Sequence, residues 1–234
     1  PVPSAPSTPP VPAAERRYLA PGAIEVRALL PEPPPVGSAM EAAELDLVRA
    51  IMQSASPEAL ARAEREVAMT PAIFSDVLGE QFTPQKCPRT FALLVQVARE
   101  AKAISDRAKN DYARPRPATN KHGTTEMEKS NSYPSGHSTR AAVWCEALCA
   151  LYPERAEALR ARAALVGYGR IALGVHYPSD VAAGRVLGVE IVKRLHESPA
   201  FTSDLDGARA EVLPAAPTQP PPAPASTGAT STPR

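Results

Sequence analysis

The chain has 234 residues, enough for one sizeable domain or two small ones. Its 26 Lys and Arg face 25 Asp and Glu, so no bulk charge draws it to nucleic acid or anionic lipid, and any anion specificity must come from local clustering. No uninterrupted apolar run approaches the ~18 residues of a bilayer span; the richest, "ALVGYGRIALGVHYP", is broken by Arg170 and His176.

Taken in chain order, residues 1–24 read as a Pro-rich N-terminal extension, since 11 of the 28 prolines fall within residues 1–36. Ser38 and Glu41 make a capping box ahead of "AAELDLVRAIM". Ser56 and Pro57 open "EALARAEREVAM" with a cap and a first-turn proline, and Pro71 opens a short "AIFSDVL" helix. "PRTFALLVQVAREAKAISDRAKNDY" places Phe91, Leu94, Val97, Ala98, Ala101 and Ile104 at helical spacing and ends before "ARPRPAT", whose prolines forbid continuation. Helices over 137–151, 154–173 and 179–196 complete the set, with Trp144 read as core. Residues 201–234, with 7 prolines in 213–234, read as a disordered Pro/Ala/Ser/Thr-rich tail. The fold class is therefore all-α, one compact helical domain over 25–200 with extended termini. The chain opens at Pro1 without Met or a basic-then-apolar leader, which fits a mature chain whose export signal has been removed.

Three cysteines, Cys87, Cys145 and Cys149, are too few and too odd for a disulfide framework. Cys145 and Cys149 share a helix face and read as small buried apolar residues, because a metal pair would need more ligands nearby. His122 and His196 read as solvated and uninvolved. Tyr133 suits either packing or the rim of an entrance, and Glu126 and Glu128 are candidates for shaping leaving-group preference.

Polar residues recur at three chain breaks: Lys109 with Arg116 and Pro117 in "KNDYARPRP", Ser135, Gly136 and His137 in "PSGH", and Arg170, His176 and Asp180 in "GRIALGVHYPSD". Alone, each has a plain structural reading as a solvated basic turn, a helix start, or a capped turn. Together they match the needs of a phosphate monoester. Arg forks and backbone N–H groups hold the non-bridging oxygens. A neutral imidazole attacks phosphorus if a carboxylate fixes its tautomer, and a second group protonates the leaving oxygen. Asp180 lies four residues after His176, within reach if the chain turns helical at Pro178; His137 has no carboxylate nearby in sequence and is free to be the acid. Gly136 lets the backbone approach an anion, and the following helix adds its positive end.

These motifs resemble the signature of the superfamily of type-2 phosphatidic acid phosphatases, bacterial acid phosphatases and vanadium haloperoxidases. That signature is Lys, six residues, Arg-Pro; then Pro-Ser-Gly-His; then Ser-Arg, five residues, His, three residues, Asp. Here Lys109, Arg116 and Pro117 supply the first part, Pro134 to His137 the second, and Arg170, His176 and Asp180 the third. "LLPEPPPVGSA" and "SDVAAGRVLG" look in addition like the class A non-specific acid phosphatases. The resemblance implies a metal-independent, cofactor-free enzyme, periplasmic or secreted, acting on a broad range of phosphate monoesters. It implies His176 as the nucleophile that forms a phosphohistidine, Asp180 as its orienter and His137 as proton donor. Lys109, Arg116, Ser135, Gly136 and Arg170 would hold the phosphoryl oxygens. It also implies inhibition by phosphate or vanadate, and leaves open phosphotransfer to alcohols and self-association as a homo-oligomer. One position departs: the Ser that precedes the Arg is Gly169 here. Vanadate-dependent halide oxidation, lipid phosphate hydrolysis and mere phosphate binding are the competing uses of the same pocket.

Overall fold

The computed structural model describes residues 18–118 and 130–212. Within them the chain forms helices and no strand: α1 (Val26–Leu29), α2 (Ala39–Ser54), α3 (Pro57–Arg65), α4 (Ser75–Leu78), α5 (Pro88–Tyr112), α6 (Gly136–Leu151), α7 (Ala156–Ala172), α8 (Pro178–Leu195) and α9 (Pro199–Val212). Short 3-10 turns sit at Glu66–Ala68, Pro71–Phe74 and Pro153–Arg155. The helix starts follow the local chemistry. The Ser56 hydroxyl accepts the Ala59 N–H and the Ser38 hydroxyl the Glu41 N–H, both at 3.2 Å. The capping box at Ser38 is only half formed, however. Glu41 takes the Gly37 N–H at 2.6 Å, because the Ser38 N–H is already given to the Pro35 carbonyl at 3.0 Å.

Helix α6 is the axis of the molecule and packs against α8, α7 and α5. It buries residues on every side, Val143, Trp144, Ala147 and Leu148 among them, as expected of a helix that is apolar all round. Trp144 is core as read, its indole N–H donating to the Leu94 carbonyl at 2.7 Å. α6 and α8 meet almost backbone to backbone. A Cβ at Gly184 would lie 2.5 Å from the Ser135 carbonyl oxygen, and one at Gly188 would lie 2.5 Å from the Ala142 Cβ. The Ser135 N–H also donates to the Asp180 carbonyl at 2.9 Å, so the start of α6 is tied to the start of α8.

Both expected domain boundaries move outward. Tyr18 is buried, and its N–H and that of Leu19 donate to the two carboxylate oxygens of Glu100 on α5, at 2.6 and 2.9 Å. The folded unit thus reaches at least to Tyr18 rather than starting at 25. At the other end, residues 201–212 are not tail but most of α9, which buries Phe201, Leu205 and Ala208 against α5 and α6. Glu211 then accepts the Arg89 and Thr90 N–H groups at 2.7 and 2.9 Å, a carboxylate on the positive end of α5. The remaining parts of the expected extension and tail, 1–17 and 213–234, lie outside the described residues.

Candidate active site

Asp180 is in the first turn of α8, three residues beyond the flanking Tyr177, and its Oδ2 accepts the Tyr177 N–H at 2.8 Å. The same oxygen faces His176 Nδ1 at 3.1 Å, so the turn at Pro178 does bring the two together. Asp180 Oδ1 accepts from Arg114 Nη1 at 2.7 Å. Burial raises the Asp180 pKa, opposed chiefly by Arg114. A carboxylate receiving three N–H donors is held as the anion, and as such it fixes the proton of His176 on Nδ1. Arg116 Nη1 lies 3.2 Å from His176 Nε2 and has only hydrogens to offer, so Nε2 is the unprotonated nitrogen and accepts from it. Burial first, then the charges of Lys109, Arg116 and Arg170, push His176 well below the ordinary histidine range. These causes all favour the neutral ring.

His137 has a partner that lies 70 residues upstream: its Nε2 is 3.0 Å from the Val67 carbonyl oxygen. Nε2–H donates there, which leaves Nδ1 as the nitrogen that takes up a second proton. Burial and then Arg170 push its pKa well down, with the Val67 contact opposing. These causes favour neutral His137, and an anion placed beside it raises its proton affinity.

The cavity between α5 and α6 measures about 440 Å³, and Lys109, Arg116, Gly136, His137 and His176 all line it. Lys109 is buried, with Nζ donating to the Asn131 carbonyl and, at 3.3 Å, to that of Ser132. Burial, followed by Arg116, lowers its pKa to about 7. Arg116 is fixed by backbone: Nε donates to the Ser130 carbonyl at 2.8 Å and Nη1 to that of Val175 at 2.7 Å. A Cβ on Gly136 would lie 3.8 Å from both Lys109 Cε and Ser105 Oγ, toward the residues that line the cavity. Ser135, Arg170 and Asp180 stand behind the cavity wall rather than among its lining. The Ser135 hydroxyl is the cap of α6, accepting the Ser138 N–H at 3.3 Å. Arg170, 2% exposed, reaches the site through its charge on His137, His176 and Lys109. Gly169 has a packing reason: a Cβ there would sit 2.9 Å from that of Ala63 on α3.

Arg114 is the residue the sequence reading missed. It is 2% exposed, its Nη2 donates to Glu44 on α2 at 2.8 Å, and its guanidinium lies 3.9 Å from the centre of the Tyr177 ring. Glu44 in turn accepts the Ser179 N–H at 2.7 Å and its hydroxyl at 2.8 Å. The signal was a second Arg-Pro pair two positions before Arg116, but nothing local says which of the two turns inward. Of the other candidates, Tyr133 packs: it is buried, and its hydroxyl donates to the Pro31 carbonyl at 2.7 Å. His196 is exposed against Phe201, while His122, Glu126 and Glu128 lie outside the described residues. Cys145 and Cys149 are buried free thiols, 3.9 Å apart at sulfur. With Glu146 they form the one group among the described residues with metal-like spacing, but Arg160 holds that carboxylate at 2.8 and 3.0 Å.

The comparisons with known proteins agree with this geometry. A family model described as the PAP2 superfamily matches residues 90–200, a range that contains all three motifs. The chain is 31% identical over 203 residues to a non-specific acid phosphatase of Providencia stuartii, with 81% of each chain covered. It is 34% identical over 148 residues to a non-specific acid phosphatase of Salmonella typhi, covering 60% of this chain and 59% of that one. Among solved structures, a transmembrane PAP2-type phosphatidylglycerolphosphate phosphatase from Bacillus subtilis aligns with a TM-score of 0.53 at 20% identity, over 68% of this chain and 86% of that one, a likeness of fold. Unlike that protein's description, no helix among the described residues here is long and apolar enough to cross a membrane. The breadth of the Providencia alignment, on a helical frame that closes the motifs around one cavity, places this chain in the PAP2 superfamily, with the non-specific acid phosphatases.

Proposed function

We propose that the chain hydrolyses phosphate monoesters in two displacements through a phosphohistidine on His176. In the first, His176 Nε2 attacks phosphorus, the ester P–O bond breaks, and the proton on His137 Nδ1 goes to the departing oxygen. In the second, water attacks phosphorus, the P–N bond breaks, and His137 takes the proton from the water. An alcohol in place of that water gives phosphotransfer. Lys109, Arg116 and the N–H groups at the start of α6 meet the phosphoryl oxygens, Arg170 adds charge from behind, and Asp180 stabilises the imidazolium as it forms. The observation that carries this reading is the neutral His176, with Nδ1 on Asp180 and Nε2 presented beside Arg116 in a cationic cavity. The cavity needs no metal in this scheme, because three fixed cations neutralise the phosphoryl group. A trigonal-bipyramidal oxyanion such as vanadate inhibits as a mimic of the transition state.

The depressed His137 pKa gives a reason for an acid optimum. The productive state needs His137 protonated and His176 neutral, so activity is expected to fall on both sides of a window of pH. His137→Ala is expected to slow hydrolysis of alkyl phosphates by ~10²–10⁴, and nitrophenyl phosphate much less, because a good leaving group needs no proton. Equal losses for both substrates would remove His137 from the role of acid.

A further inference from the structure

One cation at the cavity has no job in the scheme above. Arg140 follows His137 by three residues, on the same face of α6, and lines the same cavity. It is half-buried, its guanidinium reaches the cavity's water, and it makes no hydrogen bond or ion pair with any described residue. Its nearest opposite charge in effect is Asp106, and that carboxylate already pairs with Lys102. Among the charged residues lining the cavity, Lys102, Lys109, Arg116 and Arg140 face Asp106 alone. A half-buried guanidinium with no protein acceptor, set among other cations, is open to an incoming anion, which it can hold through paired N–H donors.

Its position says which part of the substrate would bring the anion. Arg140 stands beside His137, the group that meets the departing oxygen, and so on the leaving-group side. Arg140 and Lys102 also line a second, larger groove of about 1140 Å³, so they form the seam between the catalytic cavity and open space. That groove has room for the body of a leaving group, with Phe91, Val95 and Trp144 among its walls.

We propose that Arg140, assisted by Lys102, is a subsite for a second phosphate carried on the leaving group, so that bisphosphorylated compounds are bound in preference to simple monoesters. This rests on the phosphatase reading for the placing of the leaving group, but binding alone can test it. Phosphonates serve as probes, because the proposed chemistry breaks a P–O bond and leaves C–P intact. The affinities of butane bisphosphonate and butylphosphonate are measured by calorimetry at low salt. The wild-type chain is expected to bind the bisphosphonate at least about tenfold tighter, beyond the statistical factor for two equivalent ends, with the preference falling as salt rises. In Arg140→Gln the preference drops to the statistical factor, and in Arg140→Lys part of it returns. Lys102→Gln, at an exposed position, is a second variant that lowers the preference without reaching the core. A statistical ratio in the wild type, or a preference untouched in Arg140→Gln and Lys102→Gln, overturns the subsite. A clear bisphosphonate preference with no hydrolysis of butyl phosphate would instead uphold the subsite and count against the proposed reaction.

Discussion

At the scale of single residues, the site works by denying water to charges of one sign. Arg116 and Arg170 depress the pKa of Lys109, all three depress that of His176, and Arg170 that of His137, which is unfavourable until an anion arrives. Lys109 makes the effect measurable, because its free-state pKa is about 7. Above that pH it must regain a proton to serve a bound anion, so affinity is expected to fall by up to tenfold per pH unit. Sulfate is the probe, since its own charge is constant through this range. Calorimetry should find its affinity declining above about pH 7, and declining less in Lys109→Arg. A flat profile in the wild type would mean that Lys109 does not share its charge with the ligand. The proposed catalytic residues were legible because chemistry constrains type and spacing: His176 and Asp180 meet across one helical turn. Arg114 was not legible, since its partners Glu44 and Asp180 lie 70 and 66 residues away. The Val67 carbonyl that holds His137 is equally remote, and backbone carbonyls leave no mark on a sequence.

At the scale of elements, the second and third motifs are held together by the seam between α6 and α8. Gly184 is where the seam is tightest beside the site, with the Ser135 carbonyl and the Ser138 Cβ occupying the space a methyl would need. Gly184→Ala is expected to destabilise the fold by ~1–3 kcal/mol from overpacking. It should also lower kcat/KM, because Ser135 and Gly136 must shift to admit it. Denaturant midpoints and steady-state rates check both, and an unchanged midpoint would mean that the seam has slack. Gly169→Ser, which restores the hydroxyl the related signature carries, meets α3 in the same way through Ala63. Helix starts at Ser38, Ser56 and Ser135 were readable because a capping hydroxyl acts within three residues. α9 had a readable signal too, with Phe201, Leu205 and Ala208 at helical spacing after Pro199, but proline-rich composition downstream masked it. Its reason for existing, covering α5 and capping it through Glu211, is a tertiary contact.

At the scale of the whole molecule, the site sets a limit on stability in acid. His137 and His176 are almost wholly buried and their folded pKa values lie well below the ordinary one. The unfolded chain therefore takes up protons first as pH falls below ~6.5, and folding loses on the order of 1 kcal/mol per pH unit for each histidine until the folded values are reached. Asp180 works the other way: with its pKa raised, the folded state gains its proton before the unfolded chain does, a partial offset at lower pH. The expected result is a melting temperature that drops between about pH 7 and about pH 5. Sulfate or phosphate should recover much of the loss, because a bound anion favours the protonated histidines. A melting temperature that holds or rises over that range would show that the two rings are not kept neutral by the fold. The all-helical architecture was legible from periodicity and breakers, whereas the limits of the folded unit at Tyr18 and Val212 depended on what those ends touch.

The central claim is that His176 carries the phosphoryl group between the two displacements. The most direct measurement is to mix the chain with a phosphate ester labelled on phosphorus, quench into alkali within a turnover, and locate the label by peptide mass spectrometry. The account predicts a base-stable, acid-labile phosphoramidate on His176, absent in His176→Ala together with all turnover. Label on another residue, or full hydrolysis by His176→Ala, would contradict it.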